Sequence, residues 1–334
     1  MSIPSVTIVI PCFNHGRFVG EAVASCVRQE NADVRVVVVD DGSTDGSTPG
    51  ACDALIAPRV RVIHQENLGL PAARNRGAKE ADTEYLVFLD ADDWINFRFV
   101  TKLHEAIRKQ RDAGTDADVA YAYCYERLVG QYDGYWRVPD FDPILMMFSN
   151  LHPVTTLIRR ERFEAVGGFD ESMREGYEDW DLWLRFLDRG WRGVRVPEAL
   201  FVWRRHSSAT MISSAVPRHE ALYERLMRQH AALYERHWRE LLLESNTLLR
   251  RCDMTWLDES GEPINLRALK TQREMYESML VVRAHHTMHR AIDRLPAPFA
   301  RAARGALAFM HKLAPRARAS IRPSASVAAP GASR

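Results

Sequence analysis

The chain has 334 residues, and its 45 Lys and Arg against 44 Asp and Glu leave a formal net charge of +1. That length supports one large or two modest domains with a substantial core, and the balanced charge gives nucleic-acid binding no support. The cysteines Cys12, Cys26, Cys52, Cys124 and Cys252 form no Cys-x-x-Cys pair, which argues against a zinc module or disulfide framework and fits a reducing, cytoplasmic setting.

Val6-Thr-Ile-Val-Ile10 is a β-branched run closed by Pro11, too short and without the basic flank of a signal peptide. Residues 18–29 show helical spacing, with Cys26 on the apolar stripe Val19, Val23, Cys26, Val27, the place of a core thiol. A second strand over 34–39 is closed by Asp40-Asp41-Gly42-Ser43, a short third lies at 60–63, and 70–80 reads as helix. A fourth strand at 85–89 precedes a helix over 97–111 with the stripe Phe99, Leu103, Ala106, Ile107. Strand alternating with helix implies a parallel, doubly wound sheet with right-handed crossovers. Residues 119–129 and 154–158 read as strands, 177–188 as a short helix, and 194–203 as a return to the sheet. From about 217 the texture is helical and charged. Leu-Tyr-Glu-Arg recurs at 222–225 and 233–236, a spacing near three helical turns that predicts one long amphipathic helix. Gly261-Glu-Pro263 separates it from a second helix reaching Leu295, and beyond Pro315 the composition is that of a disordered tail. No apolar run approaches the ~18 residues of a membrane span.

Three segments carry chemistry. The fourth strand ends in Asp90-Ala91-Asp92-Asp93-Trp94. Ligands bind outside the carboxyl ends of such strands, and clustered carboxylates there call for a hard divalent cation such as Mg²⁺ or Mn²⁺. Asp40-Asp41-Gly42-Ser43-Thr44-Asp45 could accept from a nucleotide base or simply cap a helix. In 67–77, Arg74 could face a nucleotide or stand as a surface charge. His285, His286 and His289 read as a solvated helix face rather than a zinc site.

Taken in order, Ile10-Pro11-Cys12-Phe13-Asn14, the Asp40–Asp45 segment, Asn67 to Gly77, Asp90-Ala91-Asp92-Asp93, Gly167-Gly168-Phe169-Asp170-Glu171 and Glu178-Asp179 resemble the family 2 glycosyltransferases. The resemblance covers about residues 4–210. It implies the GT-A fold: α/β, a mostly parallel doubly wound sheet, with a nucleotide-sugar-binding half over 1–100 and an acceptor-binding half over 101–213. A helical extension over 214–295 and a basic tail over 296–334 would follow. By the same resemblance Pro11, Phe13, Asp41, Arg74, Asp90 and Ala91 surround the nucleotide, and Asp92, with His206 of Trp203-Arg204-Arg205-His206, holds Mn²⁺ or Mg²⁺. Asp179 would be the general base of an inverting transfer from a nucleotide-diphosphate sugar, with Glu178 and Trp180 close to a saccharide or lipid-linked saccharide acceptor. Locally, Trp180, Trp183, Leu184 and Leu187 form a buried stripe, and the first turn of that helix favours an ionised Asp179.

Departures and rivals narrow the reading. Asn96-Phe97 stands where the family often has Pro, and neither a Gln-x-x-Arg-Trp segment nor membrane spans occur, so single or limited transfer fits better than processive synthesis. A haloacid-dehalogenase phosphatase needs Thr or Val at Trp94, and its acids follow the first strand. A non-catalytic sugar-nucleotide scaffold remains the alternative, separated by whether Asp179→Asn abolishes turnover. In the tail, Phe299, Ala302, Ala303, Ala306, Leu307, Met310 and Leu313 share a face flanked by basic residues. That pattern suits peripheral contact with an anionic membrane or docking on a protein.

Overall fold

The computed structural model describes residues 3–115, 117–131, 133–205 and 218–253. The first half follows the predicted alternation: β1 (Ser5–Cys12), α1 (Gly16–Val27), β2 (Asp33–Asp41), α2 (Thr48–Asp53), β3 (Val60–Gln65), α3 (Leu70–Ala78), β4 (Tyr85–Phe88), β5 (Trp94–Ile95) and α4 (Phe99–Asp112). Then come β6 (Val119–Gly130), β7 (Gly134–Trp136), α5 (Pro143–Phe148), β8 (Leu157–Arg159), α6 (Arg160–Ala165), α7 (Glu178–Asp188) and β9 (Arg192–Arg205). Three helices close the described chain: α8 (His219–Gln229), α9 (Ala231–Arg236) and α10 (Trp238–Asp253).

The strands form one nine-stranded sheet in the order β3-β2-β1-β4-β8-β6-β9-β5, with β7 on β6. The long pairings β1/β2, β1/β4, β2/β3 and β6/β9 are parallel; β4/β8, β6/β8, β6/β7 and β5/β9 are antiparallel. The sheet is therefore parallel along its long pairings, as expected, with antiparallel additions. Alternation along β1 sends Val6, Ile8 and Ile10 to the core shared with α1 and α4, and Val9 to the opposite core. There α3 approaches so closely that a Cβ on Gly77 would meet Val9 Cγ1 at 2.3 Å, so only glycine fits.

Several boundaries move. Pro11 does not end β1, which continues to Cys12; β4 pairs no further than Val9, so the missing N–H falls where β1 has already lost that neighbour. Asp40 and Asp41 belong to β2 rather than to the turn after it. Val27 lies outside the α1 stripe and is 48% exposed, whereas Cys26 is buried as expected. The strand foreseen at 154–158 lies at Leu157–Arg159.

The single long helix foreseen from 217 is three helices. His230 and His237 break it with φ near −107° and −108°, because His230 turns inward and its Nε2 meets Asp181 Oδ1 at 2.8 Å. The repeated Leu-Tyr-Glu-Arg units still share a face: Tyr223 and Tyr234 both donate to the Met147 carbonyl, at 2.8 and 2.7 Å. The second predicted helix, its histidines and the basic tail lie outside the described residues, as does His206. Among the described residues no helix is long and apolar enough to cross a membrane.

Candidate active site

The site is assembled around α3. Arg74, 2% exposed, donates through Nη1 to Glu178 Oε1 at 2.6 Å and through Nη2 to Asp90 Oδ1 at 2.8 Å. One guanidinium thus joins the end of β4 to the start of α7, and it also lies 5.5 Å from the Phe169 ring. Burial alone would lower the Arg74 pKa; Asp90 and Glu178 outweigh it and raise it. The neighbouring Asn75 clamps the Gly167–Glu171 loop. Its Nδ2 donates to the Phe169 carbonyl at 2.9 Å and to Glu171 Oε1 at 3.0 Å, and its Oδ1 accepts from Phe169 N at 2.9 Å. Gly168 must be glycine here: its φ is +75° and a Cβ would stand 2.7 Å from Asn75 Oδ1.

The acidic strand end divides its labour. Asp90 gives one oxygen to Arg74, and its side chain stays 39% exposed. Asp93 is buried and accepts from Arg204 N at 2.7 Å; burial, with Asp92 and Asp90 nearby, pushes its carboxyl well up. Asp92 keeps a partly exposed carboxylate, with His15 Nδ1 3.7 Å from its Oδ1. Ala91 is 2% exposed. Among the described residues no group of three or more potential ligands gathers to hold a metal unaided. A Mg²⁺-like ion bound by one or two carboxylates, water and diphosphate oxygens needs no such group, and the hard oxygens of Asp92 fit that role.

The loops after β1 and β2 are knitted together. Asn14 Oδ1 accepts from Thr44 N at 2.8 Å and Asp45 N at 3.1 Å. Asp45 accepts from Thr48 N, so the helix-capping reading holds for this residue. Asp41 accepts from Leu68 N, Gly69 N and Gln65 Nε2, at 2.9, 2.9 and 2.7 Å. Three of the roughly four acceptor positions of this carboxylate therefore hold the loop that leads into α3. Pro11 is buried in β1, while Phe13 is 43% exposed beside that loop pair.

At the start of α7 the backbone turns through Gly176 at φ +118° and then holds Tyr177 in the strained left-handed region at +67°. Tyr177 is tied down through its hydroxyl to His219 Nδ1, at 2.8 Å. Asp179 Oδ2 accepts from Asn150 Nδ2 at 2.9 Å, and Oδ1 from Trp180 N at 2.8 Å. The first turn of α7 favours an ionised Asp179, but burial works against it and raises the pKa over the lowering by Asn150 and Arg74. Burial likewise lifts Glu178 to about 7 despite Arg74. Trp180 offers no open face to an acceptor: it is 2% exposed, donates its indole N–H to the Met146 carbonyl at 2.7 Å, and stacks on Tyr223 at 5.3 Å. Its role is support, with α8 bracing the turn that presents Asp179.

Two contributors, Asn75 and Asn150, escaped sequence reasoning, and so did the buried Glu126. Glu126 carried a readable signal. It is the one charged side chain on the β6 face that continues Ala122 and Cys124, both buried in the core.

Residues 7–167 match the model of glycosyl transferase family 2. Glycosyltransferase GlyG of Streptococcus pneumoniae is 29% identical over 227 residues, covering 62% of this chain and 72% of that protein. The uncharacterized glycosyltransferase EpsJ of Bacillus subtilis is 30% identical over 243 residues, covering 68% of each. Staphylococcus aureus TarS 1-349 in complex with UDP-GlcNAc shares the fold at a TM-score of 0.56 and 19% identity, over 68% of this chain and 66% of that one.

Proposed function

The chain belongs to glycosyl transferase family 2 and is a glycosyltransferase, and on that premise we propose an inverting, metal-assisted transfer from a nucleotide-diphosphate sugar to an acceptor hydroxyl. The observation that carries the proposal is the Arg74 bridge, which brings the acidic end of β4 and the Glu178-Asp179 start of α7 into one site. A donor with its diphosphate at Asp92 and its nucleoside against Pro11, Phe13 and the Asp41-anchored loop would present its sugar toward Asp179. A divalent cation bound at Asp92 would supply charge neutralisation for the departing diphosphate.

Asp179 acts as general base. Its Oδ2, oriented by Asn150, takes the proton of the acceptor hydroxyl as that oxygen attacks the anomeric carbon from the face opposite the leaving group. The raised pKa suits this role, because a more basic carboxylate accepts the proton more readily. Arg74 holds Glu178 against Asp90, which fixes the start of α7 and with it the base. Glu178 is thereby assigned to positioning. The acceptor class is a saccharide or lipid-linked saccharide of cell-surface polysaccharide or glycoconjugate synthesis. The basic, apolar sequence after 295 supports a lipid-borne acceptor at an anionic surface, and deletion of that segment would then weaken binding to anionic liposomes.

The test is nucleotide release from a panel of UDP- and GDP-sugars with Mg²⁺, with Mn²⁺ and with chelator, in wild type and Asp92→Asn. Cation-dependent release from one donor, lost in Asp92→Asn, is the expected result. Tight donor binding without release across broad acceptor mixtures would instead identify a sugar-nucleotide scaffold.

A further inference from the structure

Glu126 is a buried carboxyl with one oxygen left unpaired among the described residues. It lies in β6, 1% exposed, and the atom without a hydrogen-bond partner is Oε1. Burying such an atom unpaired destabilises a fold, so its presence asks for a ligand. The strand is also deformed here. The β6/β9 register shifts between Cys124 and Tyr125 and again between Tyr125 and Glu126, which ends opposite Phe201. Irregularities of this kind re-aim side chains beside active sites. Across the other edge Glu126 faces Trp136, which is 36% exposed.

Strand pairing, supported by one electrostatic coupling, locates the carboxyl relative to the chemistry. Burial pushes Glu126 up to about 8; Arg205 opposes this and the charge of Asp179 adds to it. Phe201, opposite Glu126, pairs in turn with Ile95 of β5, two residues past Asp93, whose Oδ1 accepts from Arg204 N on the same β9. Glu126 therefore stands within electrostatic reach of the base and is tied through β9 to the acidic end of β4. On the transferase reading the sugar in transit lies between those two. A mostly protonated carboxyl can both donate to and accept from a hydroxyl, and an aromatic neighbour beside it adds the apolar surface a sugar ring presents.

We propose that Glu126 is a specificity-determining residue that holds a hydroxyl of the transferred sugar, so that it selects among donor sugars. The inference rests on the transferase reading above. It assigns to Glu126 the discrimination between hydroxyl configurations that Asp92 and Asp179 cannot make, since one meets the diphosphate and the other the acceptor. A site built around a buried polar group rejects analogues that leave it unpaired far more strongly than an apolar pocket does.

The experiment is calorimetric binding with Mn²⁺, comparing the preferred nucleotide sugar of the panel with its nucleoside diphosphate alone, in wild type, Glu126→Gln and Glu126→Ala. Both variants should bind the nucleoside diphosphate as wild type does, lose at least tenfold for the nucleotide sugar, and keep a thermal midpoint at or above the wild-type value. Deoxy analogues of the sugar locate the hydroxyl: the one held by Glu126 weakens binding to wild type and adds no further loss in Glu126→Ala. Equal weakening of nucleotide and nucleotide sugar, no weakening of either, or a lowered midpoint with loss of all nucleotide binding would overturn the proposal. A wild-type protein that binds neither ligand would instead overturn the transferase reading on which it rests.

Discussion

Replacing Arg74 by methionine keeps most of the side-chain volume and removes only the charge and its two hydrogen bonds. The residue is 2% exposed and its partners Asp90 and Glu178 stay behind, Glu178 itself being 4% exposed. Breaking a buried ionic network by deleting one partner costs ~3–5 kcal/mol, mostly through the charge left unpaired. At ~2–4 °C per kcal/mol for a unit of this size, Arg74→Met is expected to lower the thermal midpoint by about 10 °C. The loss carries a pH signature. Arg74 lowers the Glu178 pKa, which even so stands near 7 against an ordinary 4.5; without Arg74 it rises further. A folded-state pKa raised above the unfolded one means that stability is fully present below the unfolded value and is lost as pH rises through the folded value. The deficit of Arg74→Met should therefore be small near pH 4.5 and largest above neutrality. Adding Glu178→Gln should recover part of it, because an amide needs no counter-charge. Urea melts of the four proteins of this double-mutant cycle, at acid and at alkaline pH, measure both effects. A deficit below ~1 kcal/mol, or no rescue by Glu178→Gln, would refute the role given to Arg74.

Three further outcomes follow from the site. Gly168→Ala should destabilise by ~2 kcal/mol or more, since it combines a positive φ with a contact on Asn75 Oδ1. Gly167→Ala, with φ +83° but open space around its Cβ, should cost clearly less; equal losses in denaturant melts would remove the contact from the explanation. Asn150 lowers the Asp179 pKa through its hydrogen bond, so Asn150→Ala should move the acid limb of the kcat profile to higher pH, and a limb unmoved would separate that limb from Asp179. Glu126 is raised from 4.5 to about 8, so wild-type stability should decline as pH climbs from about 5 to 8, and in Glu126→Gln that decline should flatten. A melting series in which the two proteins keep parallel slopes would contradict the buried, titrating carboxyl.

The parallel half of the sheet was legible because β1 to β4 are short apolar runs set between helical stripes, a pattern that local sequence displays. The elements that went unforeseen are β5, β7, α2, α5 and α6, of two to six residues, too short for any periodicity to show. The acidic motif and the Glu178-Asp179 pair could be read as chemistry, but not their union, since Arg74 and Glu178 lie 104 positions apart. Arg74 therefore looked like a surface charge or a nucleotide contact, and only packing reveals it as a buried bridge. Trp180 carried two readings, a member of the buried stripe and a neighbour of the acceptor; the first agrees with an indole committed to Met146 and Tyr223. Asn75 and Asn150 are small polar residues whose meaning lies wholly in long-range partners. Glu126 is different: a charged residue on an otherwise apolar strand face is a mismatch that the alternation of β6 displays by itself.

The most direct test of Asp179 as the base is to compare donor binding and nucleotide release in wild type and Asp179→Asn, with Mn²⁺ and with the donor found in the panel. Asparagine preserves shape and can keep the bond to Asn150, so donor affinity should stay within about twofold, while turnover should fall at least ~100-fold, the lower end of what general-base catalysis contributes. Turnover in Asp179→Asn within a few-fold of wild type, at the same donor affinity, would contradict the mechanism.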